Sequence, residues 1–230
     1  MKELIYSLGI KIHVLAGTLS LLFGLAAMLI KKKGGKRHNQ AGIVFYWSMA
    51  AVFITTVLFM VLYPTQLKYH FFLTIGIVSF YPTYSGKRIL KMKKGISPEW
   101  FDWTAAYIIL FSGLAMITYA VYLQIYLPNS FTVLFFVFGV FSLVQAISDL
   151  KLFLGKKSPT KLHWFFSHAG KMIGAYSAAV TAFCVNIVPR FLPENTSMSV
   201  LIFTWVAPSI LFAFVTRYFF KKYQKQFKMV

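Results

Sequence analysis

Long apolar runs, broken by short polar stretches, recur seven times along the chain. They predict helices over 5–30, 41–63, 67–90, 104–127, 131–154, 162–188 and 198–219. Each run is near or above the roughly 20 residues that a helix needs to cross a bilayer. In hydrocarbon a spanning segment must satisfy its own backbone hydrogen bonds, which favours helices. The pattern predicts an all-α membrane protein, a single seven-transmembrane-helix bundle over residues 1–230 with nothing left for a soluble domain. Trp100 and Trp103, at the end of the longest break, suit an interfacial aromatic belt. Gly34-Gly35 and Ser158-Pro159 predict turns on one side, Tyr63-Pro64 and Leu127-Pro128-Asn129 on the other, and Pro208 predicts a kink in the last helix. Met1 and Lys2 precede the first run, but it is too long for a signal-peptide core and leads into basic residues, so it is expected to stay as a helix.

Composition agrees: 58% of residues are hydrophobic and the mean hydropathy is +0.67, which excludes ordinary soluble classes. Charge then adds a direction. Alternate breaks are basic: Lys31, Lys32, Lys33, Lys36 and Arg37; Lys87, Arg88, Lys91, Lys93 and Lys94; Lys151, Lys156, Lys157 and Lys161; Arg217, Lys221, Lys222, Lys225 and Lys228. The other breaks and adjoining helix ends hold only Lys2, Lys11, Lys68 and Arg190, and Lys171 alone falls well inside a span. Short cytoplasmic loops keep Lys and Arg, so the N-terminus is expected outside and the C-terminus in the cytoplasm. A net charge of +19 placed beside spans points to a bilayer with anionic headgroups as partner and to no nucleic acid. Cys184 is the single cysteine, so no disulfide framework or multi-cysteine metal site exists.

An ionisable group in hydrocarbon is costly and is a functional candidate by default. The candidates are His13, His38, His70, His163, His168, Asp149, Lys171 and Arg88. The expected topology puts His13 and His70 on an outer level, and His38 with His168 or His163 on an inner one. Two levels of imidazole pairs are the arrangement that holds two b-type haems, and Gly9, Gly17 and Gly24 near His13 would leave room for a flat macrocycle. Such a protein would carry electrons to or from a quinone, another small molecule or a cytoplasmic reductant. Glycines at this spacing also serve plain helix contact. The inner His38, His168 and Asp149 could instead hold a zinc ion with an open water position, as a hydrolase acting on lipid would need. The integral-membrane ceramidase-like hydrolases carry two histidines four apart, whereas His163 and His168 are five apart and share a face poorly. A proton- or ion-coupled transporter or channel is a third reading, and an ion pair from Asp149 to Lys171 or Arg88 would neutralise the charge without any chemistry. No nucleotide loop, serine triad or deep Schiff-base lysine in the last helix is present.

The basic loop before helix two leads into His38-Asn39-Gln40-Ala41-Gly42, and that before helix six into Ser167-His168-Ala169-Gly170, a faint echo that would fit two three-helix units joined by helix four. Other runs stand out: His13 with Ala16-Gly17, Tyr81 with Ser85-Gly86-Lys87-Arg88, Asp149-Leu150-Lys151, and His168-Ala169-Gly170-Lys171-Met172-Ile173-Gly174-Ala175-Tyr176 leading to Asn186. With these the chain resembles a family of uncharacterised bacterial multi-pass membrane proteins, over most of its length. The resemblance implies a bacterial inner-membrane location and polar family positions at His13, His38, Arg88, Asp149, His168 and Asn186, with His70 outside the pattern. It implies no activity.

Overall fold

The computed structural model describes residues 1–127, 131–156, 159–193 and 195–229. Among these the apolar runs fold as seven α-helices: α1 (Lys2–Leu29), α2 (Lys36–Leu62), α3 (Leu67–Arg88), α4 (Trp100–Tyr126), α5 (Phe131–Phe153), α6 (His163–Ile187) and α7 (Met198–Gln226). The expected turns through Pro128-Asn129 and Ser158, the inner basic residue Lys157 and the C-terminal Val230 lie outside the described residues. Short 3₁₀ turns, Ile89–Met92 and Val188–Phe191, extend α3 and α6.

Among the described residues six helices, all but α3, are long and apolar enough to cross a membrane. α3 has 22 residues, about 33 Å at 1.5 Å per residue, so its length suffices and only its apolarity falls short. The reason is position. α3 packs against α2, α4, α5 and α6, and Thr74, Ser79, Thr83 and Ser85 on it are buried among them. A helix shielded by neighbours need not present apolar side chains to lipid.

α1, α2, α3 and α6 form a ring in which each packs on the next, with Phe45, Met49, Ala175 and Tyr176 filling its middle. The α4–α5 hairpin lies against α3, around Phe71, Ala120, Leu123 and Phe135. α4 and α5 approach closely because Gly113 and Gly139 face each other; a Cβ on Gly113 would stand 2.9 Å from the Gly139 carbonyl oxygen. α7 packs on α6. The two halves are not equivalent, since α2 packs along α3 whereas α5 packs on α4 and α3 and meets α6 through a side-chain ion pair.

Polarity is inverted relative to a water-soluble bundle. Leu15, Leu22, Ile54, Val61, Phe111, Val133 and Phe214 are each more than half exposed, while Ser20, Thr55, Thr56, Ser142, Asp102 and Asp149 are buried. An apolar exterior around a polar interior fits a hydrocarbon surround.

Candidate functional site

One face of the last two turns of α3 organises the site. Tyr81, Ser85 and Arg88 follow one another at spacings of four and three, so they stack on one side of the helix. The face meets an acid from α4, an acid from α5 and a lysine from α6.

Arg88 Nε and Nη2 donate to Asp102 Oδ1 and Oδ2 at 2.7 and 2.8 Å, a bidentate pair. Arg88 also lies 3.3 Å from Glu99 Oε1, and its guanidinium sits 4.2 Å from the Phe101 ring centroid. Asp102 is in the first turn of α4 and belongs to a capping box, its Oδ2 accepting the Glu99 N–H at 3.0 Å. The carboxylate that starts α4 is therefore the one that fixes α3 to it.

Asp149, one turn from the end of α5 and only 5% exposed, accepts Tyr81 Oη at 2.7 Å and Lys171 Nζ at 2.5 Å on Oδ2. Lys171 Nζ also donates to Ser85 Oγ at 2.8 Å. Two cations and two buried anions from four helices thus sit in mutual neutralisation, with Glu99 half-exposed at the edge. Between Tyr81, Ser85, Arg88, Asp102, Asp149 and Lys171 remains a space of about 10 Å³, about enough for one water.

The inner histidines take partners other than Asp149. Among the described residues, no group of three or more His, Cys, Asp or Glu side chains is placed to hold a metal ion, so the expected His38, Asp149 and His168 set is not assembled. The physical reason is that Lys171, three residues beyond His168 on α6, takes Asp149. His38 Nδ1 instead faces the Ala27 carbonyl at 3.0 Å, and His168 Nδ1 faces the Gly86 carbonyl at 2.7 Å. Lys33 Nζ donates to the Ala27 and Met28 carbonyls at 3.2 and 2.6 Å, so the free carbonyls at the end of α1 are capped by a cation and an imidazole. Burial, reinforced by the charge of Lys222, pushes the Lys33 pKa below its usual value.

The outer histidines have separate partners. His13 Nδ1 lies 2.7 Å from Thr55 Oγ1, a hydroxyl that already donates to the α2 backbone, so the imidazole N–H donates to it. His70 Nε2 donates to the Pro64 carbonyl at 2.5 Å and packs beside Tyr119, at a wide outer recess of about 600 Å³. Each outer imidazole is therefore held by its own group and not by the other. His163 Nε2 is buried without a hydrogen-bond partner among the described residues. Asn186 Nδ2 donates to the Ala182 carbonyl one turn back and lies outside the site.

Of the sequence candidates, Arg88, Asp149 and Lys171 meet here, with Lys171 and not Arg88 as the cation of Asp149. Sequence reasoning misses Asp102 because it lies just before the apolar run that begins near 104; the signal that could have found it is the acid three residues after Glu99. Tyr81 and Ser85 carry a resemblance but no role that sequence alone assigns.

Protein-family models, curated proteins and solved structures offer no match to this chain.

Proposed function

We propose that the chain is a multi-pass protein of the bacterial inner membrane, N-terminus outside and C-terminus in the cytoplasm, that moves protons through the Asp149–Lys171 pair. The observation that carries this reading is the four-helix node of paired charges, buried around room for one water. Intramembrane charges are retained chiefly where they do work, and a space of that size suits a proton rather than an organic solute.

The chemistry follows from the contacts. With Asp149 ionised, Lys171 and Tyr81 both donate to it and α5, α3 and α6 are held together. A proton arriving on Asp149 from the cytoplasmic side cancels its charge, so Lys171 loses its counterion and keeps the Ser85 hydroxyl and the face of the Tyr81 ring. An ammonium left uncompensated is unstable there, so protonation loosens α6 from α5 and the proton can leave by another side. Arg88 and Asp102, bidentate and clasped by the cap of α4, serve as the fixed anchor. The seven-helix bundle and the polar positions of the membrane family resembled, His13, His38, Arg88, Asp149, His168 and Asn186, agree with a membrane role without adding an activity.

Proteoliposomes with an internal pH dye and an imposed potential test the reading. The wild type should acidify or alkalinise the lumen well above protein-free vesicles, and Asp149→Asn should abolish the flux while eluting as the same folded species. No flux in the wild type, or equal flux in Asp149→Asn, would defeat it.

A further inference from the structure

The inner end of α3 carries a cation that the node does not use. Lys87 follows Gly86, whose carbonyl faces His168, and precedes Arg88, which clasps Asp102. Among residues 81–88 it alone is exposed, because it reaches along α2 instead of into the bundle. Its ammonium lies 3.9 Å from the centroid of the Tyr46 ring and 5.8 Å from that of Trp47, both on α2. Those two rings stand 5.4 Å apart and nearly perpendicular, at 88°, so Lys87 sits in the corner between them.

The corner is rich in donors and short of acceptors. Ring faces attract an ammonium but cancel none of its charge. Of the acids described towards the inner end, Glu99 and Asp102 are taken by Arg88 and Asp149 by Lys171, while Glu3 is held by Tyr63 at the far end of α1. The Tyr46 hydroxyl and the Trp47 indole N–H find no acceptor among the described residues. An ammonium, a hydroxyl and an indole N–H thus share one place, and their complement must come from outside the chain.

The setting identifies that complement. Ile43, Trp47 and Ile54, at spacings of four and seven, form one outward stripe of α2, and each is more than half exposed. The stripe turns polar two and three turns before Trp47, at Gln40 and Lys36. The corner therefore lies where hydrocarbon gives way to headgroups, the level at which Trp, Tyr and Lys collect. A phosphodiester there supplies the missing negative charge and the missing acceptor oxygens, and Ile54 offers its acyl chain an apolar track towards the midplane.

We propose that Lys87, Tyr46 and Trp47 bind one anionic phospholipid of the cytoplasmic leaflet, with its phosphate among the three donors. That leaflet carries the negative lipid charge. The site takes its leaflet from the orientation proposed above and owes nothing to proton movement at Asp149.

The test is native mass spectrometry of the full-length protein in detergent micelles doped with equimolar dioleoylphosphatidylglycerol and dioleoylphosphatidylcholine. One phosphatidylglycerol should stay on each chain in preference to phosphatidylcholine. Lys87→Gln should weaken that retention about fivefold, and Lys87→Arg should keep it. Tyr46→Phe with Trp47→Phe, which preserves both rings but removes both donors, should also weaken it. Lys94→Gln, at an exposed lysine with neither ring nor acid beside it, should leave it unchanged. Excess inorganic phosphate should leave the lipid bound, since the acyl chain helps to hold it. Equal retention of the two lipids by the wild type, retention unchanged in Lys87→Gln, or displacement by inorganic phosphate would each overturn the assignment. Retention as expected together with absent proton flux would sink the transport reading alone.

Discussion

Asp149 is tolerable at 5% exposure only while Lys171 and Tyr81 hold it. Removing one partner of such a pair leaves a buried charge alone, at a cost of about 3–5 kcal/mol, whereas replacing both by apolar residues is often neutral. Lys171→Met should therefore lower the thermal stability of the detergent-solubilised protein sharply, and adding Asp149→Leu should restore most of it without restoring proton flux. A double variant no more stable than Lys171→Met would show that the two do not act as a pair. In the sequence, both residues announce themselves as ionisable groups within apolar runs. Sequence offers Asp149 an ion pair with either Lys171 or Arg88, and the choice of Lys171 is left to the fold, because the residues are on different helices and neighbours in space are invisible to hydropathy. For the same reason His38, Asp149 and His168 read as one set: depth along a helix is legible in sequence, but the direction a side chain faces is not. Arg88 shows the same limit, since its partner Asp102 lies 14 residues on, across a break that reads as loop.

Two helices extend well beyond the apolar runs that announce them. α2 begins at Lys36, where its apolar run begins near 41, and α7 continues to Gln226, past the expected end at 219. Hydropathy marks the part of a helix that sits in hydrocarbon, while hydrogen bonding carries the helix on through polar turns. Helix contacts are legible only as a tendency for glycine to recur. Two of those glycines make opposite predictions. Gly113→Ala puts a methyl 2.9 Å from the Gly139 carbonyl oxygen and should force α4 and α5 apart, costing about 1–3 kcal/mol. Gly17→Ala meets nothing within 4 Å and should be neutral or gain up to about 1 kcal/mol from helix propensity. Thermal melts of the two variants check this, and equal destabilisation by both would contradict the packing described.

Across the whole molecule, the least apolar helix is the one on which the polar contacts of the node converge. Tyr81 reaches α5, Ser85 and the Gly86 carbonyl reach α6, and Arg88 reaches α4. This has a consequence for biogenesis. During synthesis α3 leaves the ribosome before any of those three partners exists, and it lacks the apolarity that lets a segment partition into lipid unaided. Its passage across the bilayer should therefore wait for α4 to α6, so that insertion of this protein is cooperative rather than helix by helix. On the proposed orientation the segment after α3 is cytoplasmic, so in intact cells Ser97→Cys in a Cys184→Ser background should be shielded from a membrane-impermeant maleimide in the full-length chain. In a chain truncated after Pro98 the same cysteine should be left outside and labelled; shielding in both would mean that α3 inserts alone. A substitution in α4 or α6 that broke these contacts would then be felt as misrouting of a helix made earlier, and removed by quality control before the finished protein could be assayed.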